Sequence, residues 1–241
     1  MPAPIPAVTT PFGPFTHSVT MGPRQRPVAP GGCRELPGGG LVFHWDDPAA
    51  EVELLLTAFE ADPGNLDYLL PVDVCRGAVW RVTARQPVDR LCLTSALAGL
   101  PEGAEADYEG TQSTAAIGVA APGLAMTIAA PDEEWLCQRA EPPRQGVPVH
   151  FAKLLDGVYE HRHMGRWGVE YLWSSPGFAW VLPPLRPGDE VLLETNVCWR
   201  TTSPDEDPED RSTWWAATTP SWDILAAAGG NPFGPGPATR P

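Results

Sequence analysis

The sequence predicts an α+β fold, predominantly antiparallel β, with one or two helices packed on the sheet. Three observations carry this expectation. From Glu190 to Arg200, Val191, Leu193, Thr195, Val197 and Trp199 face one way and Leu192, Glu194, Asn196, Cys198 and Arg200 the other. That is the alternation of a strand with one buried and one polar face. Between Pro148 and Met164, Phe151, Leu154, Leu155, Val158 and Tyr159 form one stripe at helical period. Most of the remaining body consists of short apolar runs separated by Pro and Gly, the punctuation of antiparallel strands.

Composition bounds the answer. A chain of 241 residues with 43% hydrophobic residues makes one large domain or two small ones. The 10 Trp suggest a core or pocket lined by large flat side chains. A formal net charge of −14 argues against nucleic acid and against an anionic membrane surface as partners. No apolar run has the length of a membrane span, and the Pro-rich start lacks the regions of a signal peptide. The 5 cysteines are widely spaced with no CxxC pair, which reads as reduced thiols in a cytoplasmic protein.

Taken in order, residues 1–40 read as a Pro/Gly-rich N-terminal arm, with Thr16–Met21 as a short edge strand. The body spans 41–228 and divides into two similar halves, 41–130 and 131–228, if the order "helix, then strands" is a repeat. Leu41–Trp45 is a strand. Asp46-Asp47-Pro48 is a helix start, and Val52, Leu55, Leu56 and Phe59 give a helical stripe over 48–61. A strand through Val52, Leu54 and Leu56 is the alternative. Further strands fall at 69–75, 78–84 and 90–96, and 99–111 is a polar loop. A hairpin follows at 115–129 around Pro122-Gly123, then a strand at 133–139.

Pro148 suits the first position of the next helix, and His161, Arg162 and His163 suit its last turn. Gly157 within it costs about 1 kcal/mol relative to Ala. Strands at 167–173, 178–182, 190–200 and 212–218 follow. The acidic loop 203–210 is expected to be solvated, Ser221 to cap a short helix, and 229–241 to be a Pro/Gly-rich C-terminal tail.

His161 and His163, with Glu170, resemble the HxH…E signature of cupins on a strand reading. The helix reading parts the two His, so no metal is expected. No nucleotide loop, GxSxG or HExxH occurs, and no cofactor is expected.

The string Pro184-Leu185-Arg186-Pro187-Gly188-Asp189-Glu190-Val191, continued by Leu192-Leu193-Glu194-Thr195, resembles the turn and strand of hotdog-fold acyl-thioesterases and dehydratases. The resemblance covers about residues 130–220. It implies a helix wrapped by a curled antiparallel sheet, or a double hotdog if the halves are related. The family's His-Val-Asn-Asn-type helix start is replaced here by Gly146-Val147-Pro148-Val149-His150.

On that resemblance the chain is an enzyme hydrolysing or dehydrating an acyl thioester. Asp156 is then the base that activates water, and His150 its acid–base partner. Free N–H groups at the helix start would hold the thioester carbonyl. The alternative is a non-catalytic assembly protein, a virion, tail or shell subunit, whose terminal arms lace onto neighbours. A small-ligand-binding β-barrel with a Trp-lined pocket is a third reading. The partners expected are a small-molecule acyl substrate and further copies of the chain, a homo-oligomer, with neither nucleic acid nor membrane.

Overall fold

The computed structural model describes residues 5–22, 26–61, 70–108, 114–131, 169–171, 175–182, 184–206, 210–219, 224–225, 227–229 and 232–233. Within them the fold is nearly all β. The strands are β1 (Ala7–Thr10), β2 (Gly13–Met21), β3 (Arg26–Val28), β4 (Gly32–Glu35), β5 (Leu41–Asp46), β6 (Ala50–Ala58) and β7 (Val74–Ala84). Next come β8 (Leu91–Leu97), β9 (Glu105–Tyr108), β10 (Thr114–Ala121), β11 (Leu124–Pro131), β12 (Val169–Tyr171), β13 (Gly177–Leu182) and β14 (Glu190–Thr201). The one named helix, α1, is Ser212–Ala217.

Among the described residues the strands form two sheets, and neither closes into a barrel. The six-stranded sheet runs β1-β2-β8-β13-β12, with β3 beside β1 on the same edge of β2. The eight-stranded sheet runs β4-β5-β6-β7-β14-β11-β10-β9. All pairings are antiparallel. One core unites them: Phe15, Val19, Leu93, Phe178 and Trp180 from the smaller sheet, and Trp45, Leu54, Trp80, Val82 and Leu193 from the larger. The architecture is therefore a two-sheet sandwich.

This corrects the α+β, hotdog-like expectation of helices packed on a sheet. The helix expected over 48–61 is β6. Its stripe arises because β6 is buried on both faces. Val52, Leu54 and Leu56 enter the inter-sheet core, while Leu55 and Phe59 join a second cluster on the far side. Apolar residues on both faces of a central strand erase the period of 2. The Asp-Pro that read as a helix cap makes a hairpin turn: Ala49 N donates to Asp47 Oδ1 at 2.9 Å and Asp47 N to Ala50 O at 3.1 Å. Conversely, 212–218, expected as a strand, is α1. The helix expected over 148–164 lies outside the described residues.

Residues 7–35, within the stretch read as an arm, supply β1 to β4. β2 is paired on both sides, with Phe15 and Val19 fully buried. Strands of the two supposed halves pair directly, β7 with β14 and β11 with β14. The expected hairpin at Pro122-Gly123 is present, Gly123 supplying φ +80°. Arg186-Pro187-Gly188-Asp189 is a turn carrying the chain from one sheet to the other, with Arg186 N donating to Asp189 Oδ2 at 2.7 Å. Among the described residues no helix is long and apolar enough to cross a membrane.

Candidate functional site

The outer face of the eight-stranded sheet carries the largest group of buried polar side chains. Alternation along β14 turns Leu192, Glu194, Asn196, Cys198 and Arg200 to this face, as expected. The structure adds that the face is covered. α1, Ile224 and Phe233 lie over it in an apolar cluster with Leu55, Val79, Leu192 and Cys198.

Its centre is Arg81 on β7. Register sets Arg81 opposite Glu53 on β6. Arg81 Nε donates to Glu53 Oε2 at 2.7 Å, and Nη2 donates to the same oxygen. Nη2 also donates to the Phe233 carbonyl at 3.2 Å, and the guanidinium carbon lies 5.1 Å from the centre of the Phe233 ring. From β4, Arg34 Nη2 donates to the Pro232 carbonyl. Two arginines thus hold two consecutive carbonyls of the C-terminal segment. Burial pushes the Glu53 carboxyl up from its ordinary pKa, and the Arg81 charge and hydrogen bonds work against that rise.

Asn196 holds the next stretch of cover. Its Nδ2 lies 3.0 Å from Ala217 O and 2.9 Å from Thr219 O at the end of α1, and 2.9 Å from Glu194 Oε1. Thr127 and Thr213 hydroxyls meet at 2.9 Å beneath the helix. Gly77, opposite Asn196, leaves room for Ile224: a Cβ there would meet Ile224 Cγ2 at 2.8 Å. The loop after β14, expected to be solvated by its like charges, is tied back: Arg200 pairs with Glu206 and, at 2.9 Å, with Asp210 Oδ2.

A second polar group sits between the sheets. His17 Nδ1 lies 2.8 Å from Ser95 Oγ, and Trp80 Nε1 donates to that oxygen at 3.2 Å. A His beside a Ser is the geometry of an activated nucleophile. Here, however, the ring is sealed against Phe15 and Trp80, and burial lowers its pKa from 6.5 to about 3. The imidazole is a neutral group buried in the core.

The expected catalytic pair, Asp156 and His150, lies outside the described residues, as do His161 and His163. Among the described residues no cluster of three or more His, Cys, Asp or Glu is placed to hold a metal. Arg34, Glu53, Arg81 and Phe233 escaped the sequence reading. The signal was there in the alternative of a strand through Val52, Leu54 and Leu56, which turns Glu53 to the face opposite Leu54.

No protein-family model and no curated protein matches this chain. The fold is similar to that of a solved, provisionally assigned kojibiose phosphorylase from the human microbiome, with a TM-score of 0.51 and 7% identity. The likeness covers 90% of this chain and 27% of that one, so this chain spans about a quarter of that protein's length. At this identity it is a likeness of fold alone.

Proposed function

We propose that this chain is a non-catalytic interaction module that joins its neighbours through the stretch around Pro232 and Phe233, whose carbonyls are held on the outer face of its larger sheet. The observation that carries the reading is the grip of Arg34 and Arg81 on the Pro232 and Phe233 carbonyls. The two main-chain carbonyls fix the backbone of the segment at a turn, and the Phe233 ring under Arg81 supplies an anchor. A groove that accepts this segment from its own chain accepts it equally from another copy, which is the route to exchanged dimers and longer assemblies.

The test is a chain ending at Gly229, checked for folding by circular dichroism, and titrated with a synthetic peptide of residues 230–241. Saturable binding that Arg81→Ala abolishes, together with a concentration-dependent dimer of the full chain, supports the module. A folded, shortened chain that ignores the peptide overturns it.

A second reading draws on one observation. Trp215 is 44% exposed and packs edge-on against Trp214, with ring centres 4.8 Å apart. A fixed, open indole face is a platform for a sugar ring. The fold likeness to part of a protein named for a disaccharide makes carbohydrate the ligand class to try, as an analogy of fold. Tryptophan fluorescence titrated with glucose disaccharides, in the wild type and Trp215→Ala, decides it. The acyl-thioester proposal rests on Asp156 and His150 alone, and turnover of a thioester panel by the wild type but not by Asp156→Asn is its test.

A further inference from the structure

Cys75 on β7 and Cys198 on β14 are partners in the antiparallel register. Directly opposed residues on such strands have Cα atoms about 4.5 or about 5.5 Å apart, depending on whether the pair is hydrogen-bonded. Both separations fall within the roughly 4.4–6.8 Å that a disulfide spans. Alternation sends both side chains to the outer face, where they share the apolar cluster of Phe59, Trp214 and Ile224. The pair lies at the end of β7 and β14 beyond Gly77 and Asn196, away from the Arg81 grip.

The two thiols are not equivalent. The Cys198 thiol donates a hydrogen bond to the Cys75 sulfur, which draws the Cys75 pKa down despite its burial. Cys198 is fully buried, and burial pushes its thiol up. Cys75 keeps 6% of its surface open. So Cys75 is the better nucleophile and the less deeply buried of the two. The other described cysteines have no such partner in register. Cys33 faces Phe43, and Cys92 stands between Thr20 and Val181.

We propose that Cys75 and Cys198 form a reversible cross-strand disulfide when the protein meets a hydroperoxide. The Cys75 thiolate attacks the peroxide oxygen; its S–O bond forms as the O–O bond breaks, and the alcohol or water leaves with a proton. Two electrons pass from sulfur to the peroxide. The Cys198 sulfur then attacks the Cys75 sulfenic sulfur. The S–S bond forms, the S–O bond breaks, and hydroxide leaves with the Cys198 proton as water. A dithiol reductant returns both thiols. The bond staples the two central strands of the larger sheet and closes about half the chain into a loop.

The experiment treats the full, reduced chain with hydrogen peroxide until Cys33, the exposed thiol, is oxidised. Non-reducing peptide mapping should then give one linked peptide pair joining Cys75 and Cys198, lighter by about 2 Da than the two thiol peptides. Dithiothreitol should restore the thiols, and Cys75→Ser and Cys198→Ser should each abolish the link. Three results overturn the proposal. One is a link from either residue to a different cysteine. Another is a gain of about 16 Da at Cys75 that persists without a link. The third is a Cys75 and Cys198 pair still reduced once Cys33 has been consumed.

Discussion

Arg81 and Phe233 stand 152 residues apart in the chain and meet twice: Nη2 donates to the Phe233 carbonyl at 3.2 Å, and the guanidinium lies 5.1 Å from the ring centre. The same guanidinium neutralises Glu53. One side chain therefore binds the middle strands of the larger sheet to the segment that covers them. The cover is what makes Glu53 and Arg81 buried, so the ion pair and the C-terminal segment depend on each other.

Arg81→Ala leaves the Glu53 carboxylate buried and uncompensated, so a loss of about 3–5 kcal/mol is expected. Glu53→Leu combined with Arg81→Met removes both charges at similar volume. That double variant should be more stable than Arg81→Ala, because replacing a buried pair by apolar groups is often neutral or better. Urea unfolding of the wild type, Glu53→Leu, Arg81→Met and the double variant measures the coupling, with Arg81→Ala alongside. A double variant no more stable than Arg81→Ala would show that the pair does more than neutralise charge.

Phe233→Leu keeps an apolar side chain over Arg81 but removes the ring. The expected loss is about 0.5–2 kcal/mol, the range of a cation–π contact. In combination with Arg81→Ala the Leu variant should cost less than it does alone. Additive losses would mean that the ring contributes by burial only.

The sequence made the strands legible where only one face is apolar or where a turn is unmistakable. β14 alternates cleanly, and Pro122-Gly123 and Arg186-Pro187-Gly188-Asp189 are turns in sequence and structure alike. It misled where a strand is apolar on both faces. In β6, Leu54, Leu55 and Leu56 serve two cores, and a double-faced strand and a helix share that pattern. Trp214 and Trp215 gave 212–218 a strand-like composition, yet the segment caps the outer face as a short helix. The outer-face site was not legible because it is assembled from β4, β6, β7 and the C-terminal segment, and no local spacing relates Arg34, Glu53, Arg81 and Phe233. Proline and glycine content also hid the strands near the N-terminus, since β2 has Gly13 and Pro14 at its start and alternates only beyond them.

Two glycines separate a rigid neighbour from a pliant one. At Gly177 a Cβ would lie 2.2 Å from Ser95 O and 2.4 Å from Ala96 Cα, both backbone atoms of the paired strand β8. At Gly77 it would meet the Ile224 side chain at 2.8 Å. Gly177→Ala should therefore be the more harmful, at the top of or beyond the roughly 1–3 kcal/mol of overpacking, because β13 must leave β8 to relieve it. Gly77→Ala displaces a side chain and should fall in the lower part of that range. Thermal unfolding of the two variants side by side tests the order, and equal losses would refute it.

His17 fixes how stability should respond to acid. Its folded pKa is lowered to about 3 from 6.5 by burial, and its ring contacts are the uncharged Phe15, Ser95 and Trp80. Above pH 6.5 the ring is neutral folded and unfolded, so it adds no pH dependence. Between 6.5 and about 3 the unfolded chain binds a proton that the folded chain refuses, so stability falls as pH falls. One such group gives a slope of up to about 1.4 kcal/mol per pH unit. His17→Gln removes the titration while leaving an amide within reach of Ser95. Carboxylates titrate in both proteins below about pH 5, so the informative quantity is the difference between them. Wild-type stability minus that of the variant, from urea unfolding, should be constant from pH 7 to 8 and shrink steadily from pH 6.5 to 4.5. A difference that stays flat through that window would mean His17 is not held neutral in a sealed core.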